Sequence, residues 1–246
     1  MSQVVVVTGA SQGLGAEISR AFHAAGSRVA LADIDEEGAT ALARSLDPQG
    51  ETVLPISLDV RCGDNFERAR DAIIDKWGAA HVLVNNAVVT AAKPVLDIAP
   101  AEFDEVMAIN VRGTFLGSQV FGRLFKAAGY GRIVNIASLA GQNGGTATGA
   151  HYAASKGAII TLTKVFARDL ASFGVTVNAI APGPLDLPSV RRTVSAELLP
   201  QLIAGIPVGV LGDPSFIADV AVQLAEPRAS FVTGATWDVN GGLYMR

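Results

Sequence analysis

The sequence predicts an α/β chain, a doubly wound parallel sheet of about seven strands with helices on both faces. Three observations carry that expectation. Apolar strand-like runs alternate with helical patterns along the 246 residues, the order that builds a parallel sheet between two helix layers. The first run, Val4-Val5-Val6-Val7, is β-branched at every position, as suits a strand buried on both faces. A glycine cluster, Gly9, Gly13 and Gly15, lies between that run and the first helical pattern.

The elements follow in order. After the glycines, Leu14, Ile18, Ala21, Phe22 and Ala25 keep helical spacing, and Gly26 closes the segment. Val29-Ala30-Leu31 reads as the second strand, Val53 to Leu58 as the third and Val82-Leu83-Val84 as the fourth. Ile133 to Ile136 is the fifth, Val175 to Ile180 the sixth, and a short last strand is expected around Thr236 to Val239. Helices fill the gaps, notably over about 102–128 and 152–172. No repeat, low-complexity tract or linker interrupts the chain, so residues 1–246 are expected to form a single domain. The one irregular stretch mixes prolines and glycines with branched apolar residues. In a compact domain such a segment is more often a functional lid than a plain loop, and the substrate lid is expected near 184–210.

Half the residues are hydrophobic and 17% are charged, the balance of a well-packed domain with a large core. The formal charge is -4, from 19 basic and 23 acidic residues. No basic run exists, so neither nucleic acid nor an anionic membrane surface is an expected partner. Cys62 is the only cysteine, which rules out an intrachain disulfide and a two-cysteine metal site. His23, His81 and His151 are scattered without metal-ligand spacing. Val4 to Val7 is too short for the core of a signal peptide. No apolar run approaches the ~20 residues of a membrane helix. The cytoplasm is the default location.

Glycines let a backbone turn sharply and approach a pyrophosphate, and the helix N-terminus behind them offers free N–H groups and a positive dipole end. The spacing here is Gly-x-x-x-Gly-x-Gly, not Gly-x-Gly-x-x-Gly, and alone it also fits a tight turn. Asp33 adds weight. It ends the second strand, 18 residues after Gly15, where a carboxylate reaches the adenosine ribose hydroxyls. It would repel a 2′-phosphate. No Lys or Arg occupies 10–15 or 33–40, while Asp35, Glu36 and Glu37 add negative charge. NAD is therefore favoured over NADP.

Tyr152 and Lys156, at i and i+4, share one helix face. An ammonium beside a phenol favours phenolate and lowers its pKa, giving a proton donor and acceptor usable near neutral pH. Ser138 lies fourteen positions upstream of Tyr152. With the dinucleotide end, these residues describe movement of a hydride and a proton between a carbonyl and an alcohol. Alone, the pair reads equally as an exposed aromatic with a solvated lysine. The combination and its order carry the inference.

Further motifs fall in line: Leu58-Asp59-Val60, Asn85-Asn86-Ala87, Asn110, Pro182-Gly183 and the closing Asp238-Val239-Asn240-Gly241-Gly242. On these and the motifs above, the chain resembles the short-chain dehydrogenases/reductases along nearly its whole length. The resemblance implies a Rossmann-like fold. It implies cofactor binding by Gly9, Ser11, Gln12, Gly13, Leu14 and Gly15, and by Asp33 with its neighbour Ile34. Asp59 and Val60 are implied at the adenine, with Asn86 and Ala87 supporting the strand beside the cofactor. Pro182, Gly183 and Leu185 complete the set. Among the implied catalytic residues, Tyr152 is the general acid/base and Lys156 contacts the nicotinamide ribose and lowers the phenol pKa. Ser138 bonds the substrate oxygen. Asn110 holds a water that links Lys156 to solvent. A homotetramer is also implied.

Three positions depart from the family pattern. Val88 stands where a glycine is usual after Asn-Asn-Ala, and Leu187 stands where a threonine often bonds the nicotinamide carboxamide. The Ser138-to-Tyr152 gap is one residue longer than is commonest. Its linker, Leu139 to His151, is rich in Gly, Ala and Thr, which suits a reshaped pocket. The lid carries Leu185, Leu187, Val190, Val194, Leu198, Leu199, Leu202 and Ile203, a cover suited to an apolar or aromatic small-molecule alcohol or ketone. Arg191 and Arg192 are either carboxylate or phosphate readers or simply solvated.

The leading expectation is an NAD-dependent secondary-alcohol dehydrogenase and ketone reductase. An NADPH-dependent 3-oxoacyl thioester reductase is the alternative within the family, against which Asp33 argues. A hydrolase using Ser138 and His151 lacks the Gly-x-Ser-x-Gly elbow and a clearly placed carboxylate. A non-catalytic nucleotide sensor on the same fold is opposed by the intact set of Asn110, Ser138, Tyr152 and Lys156.

Overall fold

The computed structural model of the chain describes residues 2–90, 92–145, 148–188, 190 and 197–245. Its strands are β1 (Val4–Thr8), β2 (Arg28–Asp33), β3 (Val53–Ser57), β4 (Val82–Asn85), β5 (Gly131–Ile136), β6 (Val175–Pro182) and β7 (Thr236–Val239). They form one sheet in the order β3-β2-β1-β4-β5-β6-β7, and each neighbouring pair is parallel. This is the doubly wound sheet the sequence predicts, strand for strand. The chain winds outward from β1 to β3, returns to the other side of β1 with β4, and winds outward again to β7. The reversal between β1 and β4 opens a crevice at the carboxyl ends of the strands, where such sheets bind ligands.

Alternate residues of β1 feed two cores. Val5 and Val7 pack on one face with Ile18 and Phe22 of α1 (Gly13–Ala24) and Leu42 of α2 (Glu36–Leu46). Val4 and Val6 pack on the other with Phe66 and Ile73 of α3 (Gly63–Trp77). Every residue of β1 is buried, which is why the strand is apolar without alternation.

The helical pattern expected over 102–128 divides into α4 (Pro100–Val106), a π-helical turn (Met107–Arg112) and α5 (Gly113–Ala128). Hydrophobic periodicity does not reveal that turn, and Asn110 lies on it. After β5 come α6 (Ala140–Asn143) and α7 (Ala150–Leu170), the latter running into a 3₁₀ turn at Ala171–Phe173. The expected lid contains α8 (Leu199–Ala204), and α9 (Pro214–Ala225) follows it. Arg191, Arg192 and Val194 lie outside the described residues. Among the described residues, no helix is long and apolar enough to cross a membrane.

Phe125 of α5 is fully buried in the second core, whereas Phe231 is fully exposed. Phe125→Ala should lose roughly 3–5 kcal/mol of unfolding free energy, and Phe231→Ala should stay within about 0.5 kcal/mol of the parent. Urea denaturation of both variants checks the assignment of that core.

Candidate active site

The turn after β1 is pressed against the end of β4. Gly9 has a φ of +64°, and a Cβ there would lie 2.8 Å from Ala87 Cα. A Cβ on Gly15 would collide with the Gly9 carbonyl oxygen. Thr8 and Asn86 fasten the contact. Asn86 Nδ2 donates to the carbonyl oxygens of Thr8 (2.9 Å) and Gly9 (3.0 Å). The Asn86 and Ala87 amides both donate to Thr8 Oγ1 at 3.0 Å. Gln12 is the N-cap residue of α1, yet no side chain caps the helix and its first turn holds no acidic residue. Gly13 opens it with a φ of +56°, and Leu14 rests on the first core. The Ser11 hydroxyl is buried with no partner. An uncapped helix N-terminus beside a buried, unsatisfied hydroxyl fits a pyrophosphate.

Asp33, at the end of β2, is 8% exposed. Its Oδ2 accepts from the Ser11 amide at 2.8 Å and its Oδ1 from the Asp35 amide at 3.0 Å. These bonds lock the carboxylate to the glycine turn and leave lone pairs for vicinal hydroxyls. Ile34 beside it is exposed. Beyond β3, Asp59 takes a forked bond from Arg61: Nε to Oδ1 at 2.9 Å and Nη2 to Oδ2 at 2.7 Å. The guanidinium holds the Asp59 carboxyl below its usual range. Val60 is buried next to it.

The carboxyl end of β6 adjoins the same crevice. The Pro182 carbonyl accepts from the Leu139 amide at 2.9 Å, bracing the residue after Ser138. Gly183 lies against Asn240. Leu185 turns its side chain into the first core and pairs by backbone with Gly212, so only its main chain is left to meet a cofactor. Leu187 also packs on that core.

Tyr152 and Lys156 share a face of α7. Lys156 Nζ lies 5.7 Å from the Tyr152 ring centroid and donates to the Ile136 carbonyl at 2.6 Å. Lys156 is buried. Ser138, two residues past Ile136, and Thr90 bring their hydroxyls near the Tyr152 phenol, close enough to lower its pKa. α6 lets this loop approach closely, since a Cβ on Gly141 would lie 2.5 Å from the Lys156 carbonyl carbon. Asn110 reaches across from the π-helical turn. Its Oδ1 accepts from the Val89 amide at 2.9 Å, and its Nδ2 donates to the Val89 carbonyl at 3.1 Å and to Ser155 Oγ at 3.0 Å. Ser155 Oγ donates in turn to the Tyr152 carbonyl at 2.7 Å. The Asn110 side chain therefore clamps the loop after β4 onto α7. Its backbone carbonyl accepts from Thr114 Oγ1 at 2.8 Å.

Electrostatics correct one expectation. Burial pushes the Tyr152 phenol above its ordinary range, against the downward pull of the neighbouring Ser138 and Thr90 hydroxyls. The ammonium expected to depress it is directed to the Ile136 carbonyl instead. Burial lowers Lys156 itself from 10.5 to about 7, so near neutral pH the site holds a neutral phenol beside a lysine poised between its two charge states.

His151 is fully buried and neither ring nitrogen has a hydrogen-bond partner. It does not pair with Ser138, so the hydrolase reading has no base. Among the described residues, no cluster of His, Cys, Asp or Glu could hold a metal ion. Sequence reasoning assigned no role to Thr8, Thr90 or Ser155. Thr8 stood inside the glycine motif and Ser155 directly before Lys156, which are usable signals; Thr90 carried none.

Known proteins match this architecture. The family model described as Enoyl-(Acyl carrier protein) reductase matches residues 9–244. Sorbitol dehydrogenase of Cereibacter sphaeroides is 34% identical, over 99% of this chain and 98% of its own length. The 3-oxoacyl-(acyl-carrier-protein) reductase FabG of Vibrio cholerae is 36% identical over the same shares. The crystal structure of a 3-ketoacyl-(acyl-carrier-protein) reductase from Brucella melitensis complexed with NADH is 29% identical and superposes with a TM-score of 0.90, over 99% of this chain and 98% of that one. The chain is an oxidoreductase that belongs to the short-chain dehydrogenase/reductase family.

Proposed function

We propose that the chain is an NAD(H)-dependent enzyme that interconverts a secondary alcohol and a ketone, with Tyr152 as general acid/base. The observation that carries the chemistry is the placing of the Ser138 hydroxyl close enough to the Tyr152 phenol to pull its pKa down. It brings two hydroxyls to one point where a substrate oxygen can bond to both. NAD(H), when bound, supplies or accepts the hydride. Asp33 takes the adenosine ribose hydroxyls. Gly9, Ser11, Gln12, Gly13, Leu14 and Gly15 hold the pyrophosphate at the N-terminus of α1. Asp59 and Val60 flank the adenine, and Asn86 and Ala87 back the turn. Pro182, Gly183 and the main chain of Leu185 border the nicotinamide, and Lys156 bonds its ribose. During reduction the neutral Tyr152 phenol gives its proton to the carbonyl oxygen; during oxidation it first passes its own proton toward Lys156 and, as phenolate, accepts the alcohol proton. Ser138 fixes the oxygen. The proton leaves through Lys156 and a water on the Asn110 carbonyl.

The segment near 184–210 is read as the lid of a single domain. Leu202 and Ile203 are partly buried and Leu198 is exposed, a cover that suits a largely apolar substrate. The tetramer rests on family resemblance, supported by the partly exposed Phe103, Phe115 and Phe173. Reduction of a 3-oxoacyl thioester is the second reading. Two of the proteins compared above carry that activity in their names, and one was solved with NADH. That complex with NADH supports a nicotinamide coenzyme without deciding the substrate. A panel of secondary alcohols, ketones and acetoacetyl thioesters, followed at the NADH absorbance band, separates the two. Faster turnover of the thioester than of any simple ketone overturns the first.

Tyr152→Phe removes only the hydroxyl that carries the proton. Turnover should fall by roughly 100- to 10,000-fold while NADH binding is kept. A variant retaining more than about a tenth of parent turnover, with chemistry rate-limiting, contradicts the assignment.

Lys156 titrates at about 7 in the fold against an ordinary 10.5. Between those values the unfolded chain binds more protons, so stability rises with pH. Below pH 7 the folded state bears the full cost of the buried cation. Lys156→Met removes that dependence. Relative to the parent it should be most favoured below pH 7, with the difference falling by a few kcal/mol toward pH 10, as read by urea denaturation. A difference that does not vary with pH counts against the buried ammonium.

Asp33 faces a 2′-phosphate with no basic partner within 33–40. A like-charge pair at roughly 4 Å and an effective dielectric near 20 costs about 4 kcal/mol before screening. The parent should prefer NAD(H) over NADP(H) by about tenfold or more in kcat/KM. Asp33→Ala with Ile34→Arg should relax or reverse the preference. A parent that prefers NADPH refutes the coenzyme assignment.

A further inference from the structure

We propose that a cavity at the amino edge of the sheet, remote from the proposed coenzyme crevice, binds a small apolar monocarboxylate. The cavity, about 440 Å³, opens where β1 and β4 begin. That volume falls among those of small-molecule sites. Ile74, Ala79, Ala80 and Leu124 give it apolar walls, and its functional side chains are Gln3, His81 and Tyr130.

Hydrogen bonding turns two of these side chains into donors. The Val4 amide donates to His81 Nδ1 at 2.9 Å, so the neutral ring carries its hydrogen on Nε2. That nitrogen is free of any partner within the described chain. Gln3 Nε2 donates to Tyr130 Oη at 2.8 Å, which leaves the Tyr130 hydroxyl hydrogen available. The two rings meet edge to face with centroids 6.1 Å apart, so both donors belong to one corner of the cavity.

Behind that corner lies a cation without an anion. Arg132 is 2% exposed, and its guanidinium carbon is 4.5 Å from the Tyr130 ring centroid. All its hydrogen bonds run to carbonyl oxygens, those of Gly131, Gly174, Glu226 and Pro227. Among the described residues no carboxylate comes within ion-pair distance of it, and the nearby Glu226 carboxylate is paired with Arg228. Arginine keeps its charge even where burial lowers its pKa. Carbonyl dipoles solvate that charge but do not cancel it. A buried positive charge behind two donors favours a carboxylate, and the walls favour a short hydrocarbon tail.

Isothermal titration of the full chain with octanoate, and with 1-octanol as the neutral counterpart, tests the site. Octanoate should bind, and 1-octanol should bind at least about tenfold more weakly. Tyr130→Phe should weaken octanoate by about tenfold while leaving the ring over Arg132. Ala79→Leu, which fills the cavity, should abolish binding; Ala128→Leu at the rim does the same task if Ala79→Leu fails to fold. Saturating NADH should leave octanoate affinity unchanged, and the variants should retain parent NADH affinity. Absence of binding, equal affinity for 1-octanol, undiminished binding to both the Tyr130→Phe and the cavity-filling variant, or displacement by NADH overturns the proposal. Each of these outcomes is independent of which alcohol the active site turns over.

Discussion

The 2.6 Å hydrogen bond from Lys156 Nζ to the Ile136 carbonyl is the constraint on which the site depends. It draws an ammonium into the interior and ties α7 to the end of β5. Ser138 follows Ile136 by two residues, so the strand end that holds the lysine also sets the second hydroxyl. The helical pitch then brings Tyr152 over the same point. A carbonyl is an incomplete substitute for water around a cation, which is why the lysine is driven down to about 7. The fold tolerates this cost because the surrounding elements are braced independently. Asn110 clamps Val89 and Ser155, and the Pro182 carbonyl holds Leu139.

The opposite half of the crevice depends on contact distance rather than charge. Gly9 and Gly15 let the first turn lie directly on the end of β4, and Thr8 and Asn86 bond across the contact. Asp33 is fastened to that turn through Ser11. The winding reversal between β1 and β4 brings these groups and the Ser138–Tyr152 pair to one edge of a single sheet. Two chemically unrelated sets of residues thereby meet at one crevice.

The central strands were legible because they are buried on both faces and so read as plain apolar runs, as Val4 to Val7 and Val82 to Val84 do. The pairing of Tyr152 with Lys156 was legible because a helix fixes the distance between i and i+4. Burial was not legible. Spacing alone predicted an ammonium that lowers the phenol, whereas tertiary packing desolvates both groups and raises the phenol instead. The π-helical turn that aims Asn110 leaves no mark on hydrophobic periodicity. Thr90 reaches Tyr152 only because the loop after β4 folds over α7. Leu185 lies beside Pro182-Gly183 in sequence, but its bridge to Gly212 turns the side chain into the core.

Direct titration of Lys156 tests this account most simply. Lysine labelled with ¹³C at Cε, assigned by comparison with Lys156→Met, reports the charge on that one nitrogen. The midpoint should lie at about 7. A midpoint at the ordinary lysine value of 10.5 would mean a solvated ammonium and would contradict the buried, carbonyl-held lysine from which the chemistry is built.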